Sequence, residues 1–138
     1  MKTQADFLSG IHKEVFAGRR ILLCEDSKLN QLVMLKLLRY AGLKVDVAEN
    51  GVEGIRLAGE HPYAAVLMDL MMPVMDGIEA TRRIRILYPD LPVIALTGAN
   101  DAVEIQRCLD AGLTDYLAKP VKPRELFKML AIFLSEDN

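Results

Sequence analysis

The fold is decided by the stretch Ala64-Ala65-Val66-Leu67-Met68-Asp69-Leu70-Met71-Met72-Pro73-Val74-Met75-Asp76-Gly77. Its first five residues are continuously apolar, which is typical of a strand covered by helices on both faces. The apolar run ends at a carboxylate, Asp69, and the proline and glycine that follow favour fixed turns. The stretch therefore predicts a central buried strand that presents an acidic side chain at its carboxyl end.

Outward from this strand, short apolar runs alternate with longer segments of helical period, which is typical of an α/β domain with a parallel sheet. The predicted strands are Arg20 to Cys24, Leu43 to Ala48, Ala64 to Leu70, Pro92 to Leu96 and Thr114 to Ala118. The predicted helices are Lys28 to Ala41, Gly51 to Glu60, Ile78 to Leu87, Asp101 to Ala111 and Pro123 to Leu134.

The strands differ in polarity, and the difference predicts their order. The first, third and fourth are continuously apolar and belong in the middle, whereas Lys44-Val45-Asp46-Val47 alternates and Thr114-Asp115-Tyr116 is polar, as at sheet edges. With right-handed crossovers the simplest order is 2-1-3-4-5. We therefore expect a flavodoxin-like, doubly wound, five-stranded parallel sheet with five helices.

Length and composition exclude several classes of protein. A chain of 138 residues predicts one domain, and 17 Lys plus Arg against 19 Asp plus Glu leave no basic excess for nucleic acid. No apolar run reaches the roughly 20 residues of a membrane span, and the start lacks a signal peptide, so we expect a cytoplasmic chain without membrane contact. Cys24 and Cys108 are expected to be buried thiols.

The chain is expected to consist of one domain and a short N-terminal extension. Residues 19–136 contain the α/β repeats, and residues 1–18 are expected to be a linker or a short docked helix, with a tether to another domain as the alternative. The apolar residues of that extension recur at helical spacing: Phe7, Leu8, Ile11 and Val15.

Polar residues stand at the predicted strand ends, and parallel strands bring their carboxyl ends to one edge. They are Glu25, Asp26, Asp69, Thr97 and Lys119. Three carboxylates roughly 5 Å apart repel by about 3 kcal/mol per pair at an effective dielectric of 20, so they need a cation or must bind protons. Oxygen ligands without His or Cys suit Mg²⁺, with Mn²⁺ also possible. A lysine, a hydroxyl and a metal around one carboxylate predict phosphoryl transfer to Asp69.

At this point the sequence resembles the receiver domain of two-component response regulators. The resemblance covers about residues 19 to 135 and rests on Glu25-Asp26, on Met68 to Gly77, on Ala95-Leu96-Thr97 and on Asp115-Tyr116-Leu117-Ala118-Lys119-Pro120. Around Asn30-Gln31 and Met72 to Gly77 it looks most like receivers attached to hybrid sensor histidine kinases.

The resemblance implies a phosphoacceptor in a phosphorelay. The donor would be phosphohistidine on a histidine kinase or a histidine-containing phosphotransfer domain, and the acceptor Asp69. Mg²⁺ would be held by Asp26, Asp69 and the backbone carbonyl of Met71, with Glu25 binding directly or through water. Thr97 and Lys119 would contact the phosphoryl oxygens.

The resemblance also implies a conformational switch. Tyr116 corresponds to the aromatic side chain that turns inward as Thr97 moves toward the phosphoryl group. The peptide bond between Lys119 and Pro120 resembles the family's cis peptide. The switch would control a partner or an attached output domain.

Three further expectations follow from single features. The first long helix is apolar on more than one stripe, and Leu29 and Leu32 are expected to form a surface that docks the partner's phosphohistidine helix. Met71 and Ala99 flank the site without a polar side chain to orient water, which predicts slow self-dephosphorylation. His12 and His61, the two histidines, lie in no catalytic constellation.

Three other functions fit the sequence less well. We do not expect an enzyme acting on external substrates, although a parent hybrid protein would be a histidine kinase. An aspartate-based Mg²⁺ phosphatase needs a second acid two residues after the nucleophile, where Met71 stands. A flavin carrier needs amide donors where the acidic Glu25-Asp26 stands, and the acidic set disfavours a module that switches through partners alone.

Overall fold

The computed structural model describes residues 13–98 and 102–135. Phe7, Leu8 and Ile11 of the apolar pattern in the extension lie outside these ranges, as do His12, Ala99 and Asp101, whereas Val15 lies within them. The described chain contains a five-stranded parallel sheet with the order β2-β1-β3-β4-β5. The strands are β1 Arg20–Cys24, β2 Lys44–Ala48, β3 Ala65–Asp69, β4 Val93–Thr97 and β5 Asp115–Ala118. The predicted fold class and strand order are confirmed.

Helices connect successive strands, as predicted. They are α2 Lys28–Tyr40, α3 Gly51–Ala58, α4 Gly77–Leu87, α5 Ala102–Asp110 and α6 Pro123–Ser135, preceded by the four-residue α1 Lys13–Phe16. Side chains at Ser27, Asn50 and Asp76 cap the first turns of α2, α3 and α4 by accepting a hydrogen bond from the backbone N–H three residues on. To the five predicted helices the described chain thus adds one short helix. None of the described helices is long and apolar enough to cross a bilayer.

The sheet separates two apolar layers because side chains alternate along each strand. Ile21 and Leu23 face one layer, which contains α2 and α6, and Leu22 and Cys24 face the other. Every residue of β3 and β4 is buried, which agrees with their central positions. Cys24 and Cys108 are both free and buried, as expected, and burial raises the pKa of the Cys24 thiol to about 12.

The described part of the N-terminal extension packs against the domain. Phe16 is fully buried, and its ring lies 5.8 Å from that of Phe127 in α6. The Arg19 guanidinium donates a hydrogen bond to the carbonyl of Leu134 (3.2 Å). The short helix Lys13–Phe16 therefore packs against the last helix of the domain.

Polar side chains near the amino ends of the strands are paired. The Asp46 carboxylate accepts hydrogen bonds from Arg20 and from the hydroxyl of Tyr63, both at 2.8 Å. Arg85 donates to the carbonyls of Gly112 and Pro89 at 2.9 and 2.8 Å, and so ties together the loops that lead into β5 and β4.

Candidate functional site

The carboxyl ends of β1, β3, β4 and β5 bring the predicted site residues to one edge of the sheet. Glu25 and Asp26 follow β1, Asp69 is the last residue of β3, and Lys119 follows β5. Thr97 is the last residue of β4 rather than the first residue after it. Glu25, Asp69 and Thr97 are buried, whereas Asp26 is exposed.

Asp69 lies at the centre of this edge with a side chain that is only 3% exposed. Its Oδ1 accepts a hydrogen bond from the Lys119 ammonium at 2.8 Å and another from the backbone N–H of Met71 at 3.1 Å. Hydrogen bonds of this kind to a carboxylate are charge-assisted, and they are shorter and stronger than bonds between neutral groups. One buried carboxylate is therefore held in a fixed orientation beside a cation.

Two more carboxylates face Asp69. One oxygen from each of Glu25, Asp26 and Asp69 lies within 4.8 Å of the others, and this is the group that could hold a metal ion among the described residues. The pKa of Glu25 is raised to about 7, first by burial and then by the nearby Asp69, while the Ser27 N–H and Lys119 act in the opposite direction. The site thus holds more negative charge than its lysine neutralises.

Two residues that sequence reasoning missed hold Glu25 in place. The Ser27 N–H donates to the Glu25 carboxylate at 3.1 Å, and the buried Gln31 side chain donates to the Glu25 backbone carbonyl at 2.6 Å. Ser27 carries a sequence signal, because serine before an apolar helical segment is typical of a helix N-cap. Gln31 belongs to the Asn30-Gln31 pair that contributes to the family resemblance, but no sequence signal links it to Glu25, since a glutamine in a helix is most often a solvated residue.

The loop after Asp69 returns closely to its own start. The Gly77 N–H donates to the Leu70 carbonyl at 3.1 Å. A Cβ atom on Gly77 would lie 2.4 Å from the Asp69 carbonyl oxygen and 2.8 Å from Leu70 Cα, so only glycine fits here. Within the loop, Val74 has φ +69°, a left-handed conformation that is uncommon for a β-branched residue. The start of α4 therefore packs directly on the backbone that carries Asp69.

The remaining predicted residues lie around this centre. Tyr116 is 39% exposed on β5, and the Lys119–Pro120 peptide bond is cis. Leu29 and Leu32 are 70% and 60% exposed on α2, as expected for a surface patch. Beside them a groove of about 460 Å³ extends from Lys119 and Glu25 along α2, with an apolar lining of Val33, Met34, Leu37, Leu96, Pro120 and Val121.

A doubly wound parallel sheet with a buried aspartate, a lysine and an acidic pair at one edge is the arrangement that the resemblance to receiver domains implies. Comparisons with known proteins give the same class of domain. The sequence model of the response regulator receiver domain matches residues 21–131. The chain is 38% identical over 121 residues to two-component system protein A of Emericella nidulans, covering 86% of this chain and 18% of that protein. It is 41% identical over 119 residues to the rice (Oryza sativa subsp. japonica) two-component response regulator ORR41, covering 83% and 93% of the two chains.

Solved structures give the same result. The receiver domain of sensor histidine kinase PA1611 from Pseudomonas aeruginosa PAO1, which has a magnesium ion coordinated in its active site cleft, is 41% identical with a TM-score of 0.81, over 86% of this chain and 99% of that one. A co-crystal structure of the Saccharomyces cerevisiae histidine phosphotransfer protein Ypd1 with the receiver domain of Ssk1 matches with a TM-score of 0.83 and 28% identity, over 88% and 92%.

The chain belongs to the response regulator receiver domain family, and it is a receiver domain of two-component signalling systems. Its relatives include both response regulators and hybrid histidine kinases, such as hybrid signal transduction histidine kinase B of Dictyostelium discoideum, with 37% identity over 120 residues. The chain spans 18%, 6% and 5% of the lengths of three of these relatives. The family is not one of catalytic enzymes.

Proposed function

We propose that Asp69 accepts a phosphoryl group from phosphohistidine of a histidine kinase or a histidine-containing phosphotransfer domain. The observation that carries this proposal is the buried Asp69 carboxylate, hydrogen-bonded to Lys119 at 2.8 Å and faced by Glu25 and Asp26. In the transfer, an Asp69 oxygen forms a bond to phosphorus while the bond from phosphorus to the imidazole nitrogen breaks. The imidazole leaves with the electron pair and takes up a proton.

The residues of the site fit a divalent cation. Three carboxylates within 4.8 Å supply the oxygen ligands that Mg²⁺ prefers, and Mn²⁺ suits the same set. Asp26, Asp69 and the Met71 backbone carbonyl would hold the ion, with Glu25 binding directly or through water. When bound, the ion neutralises charge that develops on the transferred group. A phosphorelay receiver also accords with the expected cytoplasmic location.

Lys119 and Thr97 then act on the phosphoryl oxygens. The Lys119 ammonium already lies within hydrogen-bond distance of Asp69, so it meets the new negative charge without a large movement. Thr97 stands at the end of the adjacent strand, and movement of its hydroxyl toward the phosphoryl group would leave space into which Tyr116, now partly exposed, turns. These two residues would be the switch that reports phosphorylation to a partner or an attached output domain.

The partner's phosphohistidine helix would dock on α2. Leu29 and Leu32 are exposed beside the acidic edge, and apolar side chains at helical spacing suit helix-in-groove recognition. Leu29→Glu and Leu32→Glu should slow transfer from a phosphotransfer domain and leave phosphorylation by acetyl phosphate unchanged. Equal transfer rates from the protein donor would refute this surface.

Self-dephosphorylation should be slow. Met71, 79% exposed two residues after Asp69, offers no group that orients an attacking water. Met71→Gln should therefore shorten the half-life of the phosphorylated protein severalfold, whereas Met71→Leu should not. An unchanged half-life in the glutamine variant would count against this assignment.

The phosphoacceptor itself is tested by mass. Incubation with acetyl phosphate and Mg²⁺ should add one phosphoryl group to the wild type, none to Asp69→Asn and one to Asp76→Asn. Asp76 is a matched control because it lies in the same loop and its cap is one that asparagine can replace. Phosphorylation of Asp69→Asn, or of the wild type in EDTA, would overturn the proposal.

For the whole chain we further propose that residues 19–136 form the receiver domain and that residues 1–18 are an N-terminal extension or linker.

A further inference from the structure

We propose that Gln31 is a positioning residue for the cation site, acting through the backbone of the acidic pair. The proposal rests on the proposed binding of a divalent cation at Glu25, Asp26 and Asp69. Gln31 lies at the end of the first turn of α2, and its side chain turns back to the loop between β1 and α2. In this role Gln31 does not contact the cation itself.

Gln31 joins α2 to this loop at two points. Its backbone N–H donates to the Ser27 carbonyl at 2.9 Å, the ordinary bond of a first helical turn. Its side-chain amide donates to the Glu25 carbonyl at 2.6 Å, six residues back in the chain. The second bond is not required by the helix, and it fixes the peptide plane that joins Glu25 to Asp26.

Burial makes this bond specific. Gln31 is only 6% exposed, and a buried amide is costly unless it has partners. An apolar residue would fill a buried helix position at lower cost, as Met34 and Leu38 do on the same helix. The position therefore holds a donor where packing alone would favour a hydrocarbon side chain.

The acidic pair needs such support because its charges repel. Glu25 and Asp26 face Asp69 within 4.8 Å, so without a cation the electrostatic repulsion among the three carboxylates favours a loop conformation in which they lie farther apart. Glu25 is restrained at the carboxylate by the Ser27 N–H and at the carbonyl by Gln31. Asp26 is exposed and follows this carbonyl directly, so its position depends on the peptide that Gln31 holds.

The test compares Mg²⁺ binding and stability in matched variants. Gln31→Met keeps length and burial but removes the donor, and loss of a residue that orients metal ligands typically weakens metal affinity 10–100-fold. We expect about a tenfold weaker Mg²⁺ Kd, followed by NMR titration at a temperature at which the variant is folded. Leu38→Val, in the same helix, should lower the urea midpoint and leave the Kd unchanged. A Gln31→Met Kd within twofold of wild type would overturn the proposal.

A measurement on the wild type covers the case in which Gln31→Met does not fold. The Gln31 side-chain amide protons should exchange with solvent much more slowly than those of Gln106, whose side chain bonds Asp110 on an exposed helix surface. Equal exchange rates would overturn the proposal. If the wild type itself shows no Mg²⁺ binding, the proposed cation site fails. If it binds Mg²⁺ and the Gln31 tests fail, only the role of Gln31 is lost.

Discussion

The two ends of the sheet differ in how their charged side chains are paired. Near the amino ends of the strands, Asp46 is satisfied by Arg20 and Tyr63, and Arg85 is satisfied by backbone carbonyls. At the carboxyl ends, Glu25, Asp26 and Asp69 are held together with Lys119 as their near cation. The first arrangement stabilises the fold, whereas the second leaves negative charge that a ligand can neutralise.

The pKa values record the same difference. Burial raises the pKa of both Glu25 and Asp46, but at Asp46 the hydrogen bonds from Tyr63 and Arg20 outweigh it and lower the pKa. At Glu25 the neighbouring Asp69 adds to the effect of burial, and the pKa is raised to about 7. Without a cation, the ionised Glu25 therefore lowers the stability of the fold, whereas the paired Asp46 does not.

The largest effect should come from Gly77, which lets α4 pack on the backbone of Asp69. Gly77→Ala places a Cβ where 2.4 Å separates it from the Asp69 carbonyl oxygen, so the loop must shift. We expect a loss of about 3 kcal/mol of unfolding free energy in urea, at the upper end for overpacking, together with weaker Mg²⁺ binding. Gly98→Ala is the control, because nothing lies within 4 Å of its Cβ position. Equal stability of the two variants would contradict the role of Gly77.

A smaller effect of opposite sign should follow from removing one repelling charge. Glu25→Gln should stabilise the protein in EDTA at pH 8 by up to about 3 kcal/mol, since the pKa of Glu25 is raised from 4.5 to about 7 and each pKa unit corresponds to about 1.4 kcal/mol. The folded-state pKa of Glu25 lies above its ordinary value of 4.5, so the wild type loses stability as the pH rises from about 4.5 through 7. Urea unfolding across this range should show the slope in wild type and not in Glu25→Gln. Parallel pH profiles would contradict it.

The smallest effect should come from the paired end of the sheet. Asp46→Asn should cost about 1 kcal/mol at pH 7, as for a partly exposed ion pair with a second hydrogen bond. Because the folded-state pKa of Asp46 is lowered, this contribution is present above its ordinary value of 3.8 and is lost as the pH falls below it. The stability gap between the variant and wild type should therefore close in acid. A gap that widens there would rule out this sign.

Sequence patterns predicted the parts of the molecule that depend on periodicity. Continuous apolar strands identified the centre of the sheet, and alternating or polar strands identified its edges. Since parallel strands end at one edge, the same order predicts that Glu25, Asp69 and Lys119 lie close together. Helix and strand ends differed by one or two residues, as where β3 ends at Asp69 rather than Leu70.

Contacts that depend on exact packing could not be predicted. The bond from Gln31 to the Glu25 carbonyl and the approach of Gly77 to Asp69 arise from how α2 and α4 sit on the sheet. The triad of Arg20, Asp46 and Tyr63 joins three separate segments, and no spacing in the sequence links them. The burial of Phe16 against Phe127 likewise depends on a long-range contact between the two ends of the described chain.

The contrast between the two ends of the sheet is tested most directly by the dependence of stability on Mg²⁺. Unfolding free energy of the wild type should rise with Mg²⁺, by about 1.4 kcal/mol at ten times the Kd. Asp46→Asn should show the same gain from a lower starting stability, and Asp26→Asn should lose most of it. No gain in wild type, or an equal gain in Asp26→Asn, would contradict a cation site formed by the acidic pair and Asp69.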